Sequence, residues 1–214
     1  MSGLLSLEEM LVNAGTHVDN MHDCLAGVTV TGHHQIGAAA LQRLSLSHYE
    51  SFLLLLREKR IASAMALIRP CTDAAQRSLY IGLNESAELI EKVLKDDKDA
   101  FGQQKHMVDW LHKRLGYDIF EDIHSSWPYL CSYTHGGLLQ IERQLNGELF
   151  GENFTEEECI AAIASCTFPL SYCTFMFACL WRQETVTAGR MLADYYNLLP
   201  IPHPVRLAAM GLKK

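Results

Sequence analysis

A stretch of 23 residues without a charged side chain, Cys159 to Trp181, constrains the fold of this chain more than any other feature. One helix of this length is long enough to cross a bilayer. Pro169 lies near the middle of the stretch, where proline interrupts a helix, and several serines and threonines punctuate it. We therefore predict two buried helices, joined at residues 167–169, and no membrane partner.

The composition is that of an ordinary globular protein. Hydrophobic residues make up 49% and charged residues 20% of the 214 residues, which predicts a single domain spanning residues 1–214 around one core. The seven cysteines include no Cys-x-x-Cys pair, and together with the lack of a signal peptide they predict a cytoplasmic protein with free thiols. The net charge of −7 disfavours sequence-independent binding to nucleic acids, which needs a basic excess.

Apolar residues recur at helical spacing along most of the chain. Ser6 and Glu9 form a capping box before the first helix. The predicted helices span residues 7–25, 37–57, 61–94 with a kink at Pro70, 96–116 with Gly116 as a C-cap, 126–149, 156–165 after a second capping box, and 170–196. This pattern predicts an all-α protein, an antiparallel helical bundle, in which residues 156–196 pack on a core of about residues 41–149.

Three charged residues share one face of the third predicted helix. Arg69, Asp73 and Arg77 follow one another at intervals of four residues, and Tyr80 continues the same face. One interpretation is an exposed ladder of ion pairs, which contributes little to stability. The other is a pair of guanidinium groups that the carboxylate orients toward a phosphate or carboxylate.

A second polar group lies in the sequence Ser-Tyr-Thr-His-Gly-Gly at residues 132–137. Glycine inside a helix costs about 1 kcal/mol relative to alanine, so Gly136 and Gly137 indicate close approach of another helix or a ligand. His135 and Ser132 are three residues apart and share a face, so the imidazole could serve as a general acid or base beside a hydroxyl. The alternative is a half-buried histidine at a helix crossing.

Together, the segments RIASAMALIRPCTDAAQRSLYIG and YLCSYTHGG resemble a family of uncharacterised bacterial all-helical proteins. The pattern is an Arg-Pro with an acid three residues after the proline, and then a Ser-x-x-His-Gly on a later helix. That family resembles the HEPN superfamily (higher eukaryotes and prokaryotes nucleotide-binding domain). Many HEPN domains are dimeric helical bundles that act as metal-independent ribonucleases in toxin–antitoxin and phage-defence systems.

The resemblance implies His135, Ser132 and Arg69 as catalytic residues and Arg77, Asp73 and Tyr80 as substrate-binding residues. It also implies a homodimer, RNA or a nucleotide as ligand, and a cognate antitoxin or other partner protein. The chain departs from the HEPN signature, because none of the residues 128–130 is the arginine that should precede the histidine by a few residues. Arg43 and His48 have the required spacing, but they lie on an early helix with a leucine-rich core pattern.

An alternative function is therefore a non-catalytic module in which the same groove binds a nucleotide or a partner helix. The acidic net charge and the missing signature arginine favour this second function. We predict no metal site and no cofactor. The ten histidines include no pair spaced i, i+4 for a helical metal site, and the chain has neither a Walker loop nor a dinucleotide glycine fingerprint.

Overall fold

A computed structural model describes residues 5–84, 86–95, 97, 99–116, 127–146, 149–150, 152–181 and 185–199. The all-α prediction is confirmed, since this part of the chain contains ten helices and one short β-hairpin. The helices are α1 (Leu7–Leu25), α2 (His33–Arg57), α3 (Ile61–Ala66), α4 (Ile68–Leu83), α5 (Ala87–Leu94), α6 (Gln104–Leu115), α7 (Trp127–Thr134), α8 (Leu138–Glu142), α9 (Glu156–Trp181) and α10 (Thr185–Leu198). Strands β1 (Leu145–Asn146) and β2 (Leu149–Phe150) pair antiparallel between α8 and α9.

Three helix ends follow the predicted local signals. The capping box at the start of α1 is confirmed, with the Ser6 hydroxyl accepting from the Glu9 amide and the Glu9 carboxylate from the Ser6 amide. Thr155 and Glu158 form the second capping box in the same way. Gly116 ends α6 in the left-handed conformation, with φ of 66°, which favours glycine because it lacks Cβ. Helix α2 begins at His33 and α6 at Gln104, so those two predicted starts are wrong by several residues.

The centre of the core is α9. It packs against α1, α2, α4 and α10, and α2 lies along α4. Fully buried side chains from these helices fill the space between them, among them Met10, Tyr49, Phe52, Ile163 and Leu170. The chain therefore buries its uncharged stretch inside the protein, as predicted.

The predicted break at Pro169 is wrong, because α9 is one continuous helix with the proline inside it. The serine and threonine hydroxyls in this stretch do not interrupt the helix, because they bond within it. Thr167 donates to Ile163 O at 2.6 Å, Ser171 to Thr167 O at 2.6 Å, and Thr174 to Leu170 O at 2.9 Å. Core packing on several sides offsets the amide bond that proline cannot make.

In the described part of the chain, α9 is the one helix long and apolar enough to cross a membrane. Its most apolar window is 61% buried inside the protein. A membrane-spanning helix presents its apolar surface to lipid, whereas the central helix of a soluble protein buries it. The packing of α9 is compatible with a soluble protein.

The predicted helix at residues 61–94 is divided into α3, α4 and α5. The first break, at Leu67, comes three residues before Pro70, which has no amide proton for the Ala66 carbonyl. Helix α5 begins after a new N-cap, Ser86, whose hydroxyl accepts from the Leu89 amide. Pro70 and the N-cap Ser86 therefore divide the predicted long helix into three shorter helices.

The predicted helix at residues 126–149 is also wrong. Helix α7 ends at Thr134, α8 occupies only five residues, and the β-hairpin follows. The predicted start at Ser126 lies outside the described residues. Arg143 secures this region to α9 through two hydrogen bonds from its guanidinium to the Glu158 carboxylate, at 2.5 and 3.1 Å.

Candidate functional site

Helix α4 places its polar side chains along the edge opposite the core. Cys71, Ala75 and Leu79 are buried, whereas Arg69, half-buried, and the partly exposed Asp73 and Arg77 lie on the other side of the helix. The helical spacing of the charged residues thus leads to a shared face, as the sequence indicates. The partners of these residues differ along the edge.

Asp73 forms an ion pair with Arg77. The Nε atom of Arg77 lies 3.0 Å from Asp73 Oδ2. The Arg77 guanidinium also lies over the Phe101 ring, 4.6 Å from its centroid. Among the described side chains, no ion pair joins Asp73 to Arg69. The carboxylate therefore orients one arginine and not the two expected from the sequence.

Arg69 instead contacts the end of α7. Its Nη1 forms a hydrogen bond with His135 Nε2, and its guanidinium lies 5.2 Å from the centroid of the Trp127 ring. His135 is exposed and Arg69 is half-buried. The contact joins residues 66 positions apart in the sequence and leaves the imidazole accessible to solvent.

The glycines after His135 end helix α7 and do not lie inside a helix, so that premise of the sequence analysis is wrong. Gly136 is left-handed, with φ of 65°. The Gly137 amide donates to Ser132 O at 2.7 Å, and the His135 amide to Cys131 O at 3.0 Å. The Gly137 bond is the six-residue bond of a Schellman C-cap, which favours glycine at the left-handed position, and the His135 bond is the last bond of the helix.

Ser132 lies directly beneath this turn. A Cβ atom at position 137 would lie 2.4 Å from Ser132 Oγ and 2.9 Å from its Cα, so only glycine fits there. The half-buried serine thus packs against the bare backbone of Gly137. Glycine is needed at position 137 because the previous turn of the same helix lies too close to its backbone for a Cβ atom.

Tyr80 lies at the far end of α4. Its ring meets Trp110 edge-on, with centroids 5.0 Å apart, and packs against core residues. Eleven residues of helix separate it from Arg69, which corresponds to about 16 Å along the axis. The six predicted site residues therefore do not form one group: Arg69 contacts His135, Asp73 pairs with Arg77, and Tyr80 packs against Trp110.

Sequence reasoning missed Trp127 and Thr134. Trp127 supplies the aromatic surface beneath Arg69. The Thr134 hydroxyl lies 3.3 Å from Ala66 O and 2.9 Å from Leu130 O. Neither residue stands at helical spacing from a charged partner, so only the folded chain brings Trp127 to Arg69 and Thr134 to Ala66.

Arg69 and His135 form an exposed site with one permanent cation, one titratable imidazole and one indole surface. Such a site can bind a phosphate and accept or donate a proton. In the described ranges, no cluster of three or more His, Cys, Asp or Glu side chains is suited to hold a metal ion. The imidazole supplies acid–base chemistry, and the guanidinium supplies a positive charge.

A family model described as a family of unknown function, DUF6988, matches residues 42–200. The chain belongs to this family. The DUF6988 match covers most of the chain and includes both Arg69 and His135. No curated protein and no solved structure matches the chain. Membership in DUF6988 agrees with the predicted resemblance to an uncharacterised family, and it names no activity.

Proposed function

We propose that the chain is a metal-independent ribonuclease, an HEPN-like antiparallel bundle that acts in the cytoplasm as an effector of a toxin–antitoxin or phage-defence system. The observation that supports this proposal is the contact between Arg69 and His135. It pairs a phosphate-binding group with an acid–base group on an exposed surface. RNA cleavage without a metal can use these two groups, one for proton transfer and one for charge stabilisation.

The contact assigns the protons on His135. Arginine has donors only, so His135 Nε2 must accept, and the proton of the neutral ring is on Nδ1. A phosphate is a stronger acceptor for a guanidinium than a neutral imidazole is, because both its charge and its geometry are complementary. RNA binding would therefore draw Arg69 onto the scissile phosphate and release Nε2.

The released Nε2 accepts the proton of the ribose 2′-hydroxyl. The 2′-oxygen then attacks phosphorus in line, the bond from phosphorus to the 5′-oxygen breaks, and a 2′,3′-cyclic phosphate forms. The departing 5′-oxygen takes a proton from solvent, and His135 returns its proton to solvent. Arg69 offsets the charge that develops on the phosphate, and Trp127 offers an aromatic surface for an unpaired base.

A non-catalytic module that binds a nucleotide or a partner helix is the second candidate. The net charge of −7 favours it, because the chain lacks the basic excess of a general RNA binder. Arg77 is also held by Asp73 and Phe101, so Arg69 is the one arginine of this edge that meets His135. In this function Arg69 and His135 bind a single phosphate, and no bond breaks.

Incubation with a single-stranded RNA oligonucleotide in EDTA tests the proposal. We expect cleavage products with 2′,3′-cyclic phosphate ends from the wild type and a loss of about 100-fold or more for His135→Ala. Arg69→Gln should lose activity similarly. The matched controls are His106→Ala and Arg190→Gln, which change exposed residues of the same types elsewhere.

The outcomes separate the two functions. Cleavage that persists in His135→Ala contradicts the ribonuclease proposal. Binding of a mononucleotide by the wild type without cleavage, lost in Arg69→Gln, supports the binding module. If the wild type neither cleaves RNA nor binds a nucleotide, the contact between Arg69 and His135 is structural.

A further inference from the structure

A cavity of about 240 Å³ lies among α1, the loop after it, α2 and α9. Seven of its ten lining residues are apolar, and the polar ones are His22, Gln42 and Arg43. An apolar cavity of about 150 Å³ holds benzene. This cavity therefore suits a molecule of about ten non-hydrogen atoms.

The amide of Gln42 has a fixed orientation. The Thr174 hydroxyl donates its proton to Leu170 O at 2.9 Å, so its oxygen can only accept from Gln42. Gln42 Nε2 accordingly donates to Thr174 Oγ1 at 2.8 Å. Because this bond fixes which end of the amide is nitrogen, Oε1 must be the other atom.

Gln42 Oε1 is buried and has no hydrogen-bond partner among the described residues. The whole residue is only 1% exposed, and it lines the cavity. Buried polar atoms in native proteins almost always have a partner, so an orphaned acceptor of this kind calls for a donor. A molecule in the cavity with an O–H or N–H group would supply it.

Arg43 adds a positive charge at the same cavity. It is exposed, and within the described ranges it forms no ion pair. The neighbouring His22 is engaged by Glu50, with His22 Nε2 2.6 Å from Glu50 Oε1, so that acid is already paired. An anionic group on a molecule in the cavity would meet Arg43 without competition from these side chains.

We propose that this cavity is a binding site for a small organic acid with an apolar body, a carboxylate for Arg43 and a hydrogen-bond donor for Gln42 Oε1. The site is formed by α1, α2 and α9, whereas the ribonuclease proposal concerns α4 and α7. Its ligand would thus bind independently of the contact between Arg69 and His135.

Isothermal titration of the full chain with three probes tests the proposal. The probes are 4-hydroxybenzoate, which has both polar groups, benzoate, which lacks the donor, and phenol, which lacks the carboxylate. We expect 4-hydroxybenzoate to bind with a dissociation constant at or below about 1 mM, and each of the other two about tenfold more weakly. Equal affinities for 4-hydroxybenzoate and benzoate would exclude a role for Gln42.

Three variants locate the site. Gln42→Leu should weaken the binding of 4-hydroxybenzoate about tenfold, to the affinity of benzoate. Arg43→Gln should weaken the binding of both acids and leave the binding of phenol unchanged. Arg190→Gln, at a matched exposed arginine, should leave the binding of all three probes unchanged. Ala39→Leu, which fills the cavity from a partly buried position, should abolish binding while the far-ultraviolet circular dichroism stays that of the wild type. No binding of 4-hydroxybenzoate at about 5 mM, or binding that survives Ala39→Leu, overturns the proposal.

Discussion

The Thr134 hydroxyl reaches the carbonyl oxygen of Ala66, at 3.3 Å, and shares its one proton between that oxygen and the carbonyl oxygen of Leu130, at 2.9 Å. The Ala66 carbonyl is the acceptor that an amide at position 70 would use, and Pro70 has no amide proton. The bond anchors the last turn of α7 at the break between α3 and α4. His135 follows Thr134 directly, and Arg69 lies three residues after Ala66, so the same anchor brings the two site residues together.

Replacement of Thr134 by valine tests this anchor. The change keeps the side-chain shape and removes the hydroxyl, so it leaves a carbonyl of α3 without its donor. We expect the free energy of unfolding to fall by about 1 kcal/mol, as measured by urea denaturation. Thr16→Val is the matched control, because the exposed Thr16 hydroxyl bonds only to the carbonyl of Val12 in its own helix. An equal loss in both variants would contradict the anchor.

Asp73→Ala should cost little stability. The pair of Asp73 and Arg77 is partly exposed and spaced i, i+4, and such pairs contribute about 0.3–0.5 kcal/mol. Arg77 keeps its contact with Phe101, and Arg69 keeps His135. Thermal unfolding of Asp73→Ala and of Glu88→Ala checks this expectation. Glu88→Ala is the control, because it breaks the exposed i, i+4 pair with Lys92. A large loss in Asp73→Ala alone would mean that the carboxylate holds both arginines after all.

Helix ends governed by local signals could be predicted from the sequence. Ser6 with Glu9, Thr155 with Glu158, and Gly116 each act on a backbone only a few residues away. Their stabilising bonds form in the same turn, so no distant contact is needed to place them.

The effects of Pro169 and Gly136 could not be predicted in the same way. A proline in a helix costs a hydrogen bond, but packing on several sides of α9 keeps that helix continuous. Gly136 breaks α7 although the helical pattern continues past it. Whether a weak signal ends a helix depends on tertiary contacts, which is also why Trp127 was missed as a partner of Arg69.

Stability should depend on pH through His17, which is fully buried in the core. Ser171 donates its proton to Thr167 O, so His17 Nε2 must donate to Ser171 Oγ, at 2.7 Å. His17 Nδ1 is then an unprotonated nitrogen with no partner among the described residues. Burial lowers the pKa of His17 to about 4, because a charged ring has no solvent there.

The lowered pKa of His17 determines the direction in which stability changes with pH. The unfolded chain binds a proton near pH 6.5 and the folded chain only near pH 4, so protonation favours unfolding between these values. We expect the free energy of unfolding to fall by about 3 kcal/mol as the pH drops from 6.5 to 4. His17→Gln should remove this part of the pH dependence, and His106→Gln, at an exposed site, should not. If the free energy of unfolding changes with pH in the same way in the wild type and in His17→Gln, His17 is not the group responsible.

A homodimer is the predicted assembly, and α8 offers an apolar surface for it next to His135. Leu138 is 68% and Ile141 57% exposed. We expect light scattering to give about twice the chain mass of 24.1 kDa, and Leu138→Glu to shift the protein toward monomer. Leu54→Glu, at a leucine on α2 that is 56% exposed, is the control. A wild-type monomer at micromolar concentration would contradict the dimer.

Nitrogen NMR of the His135 imidazole tests most directly whether the contact with Arg69 responds to a ligand. His135→Gln assigns the signals, and a 2′-deoxy dinucleotide serves as a phosphate ligand that cannot be cleaved. We predict that the free protein shows a neutral ring with its proton on Nδ1 and Nε2 hydrogen-bonded, and that the ligand shifts Nε2 as Arg69 moves to the phosphate. Arg69→Gln should show the shifted Nε2 without ligand. A Nε2 signal that stays unchanged when the dinucleotide binds, or in Arg69→Gln, would contradict the account.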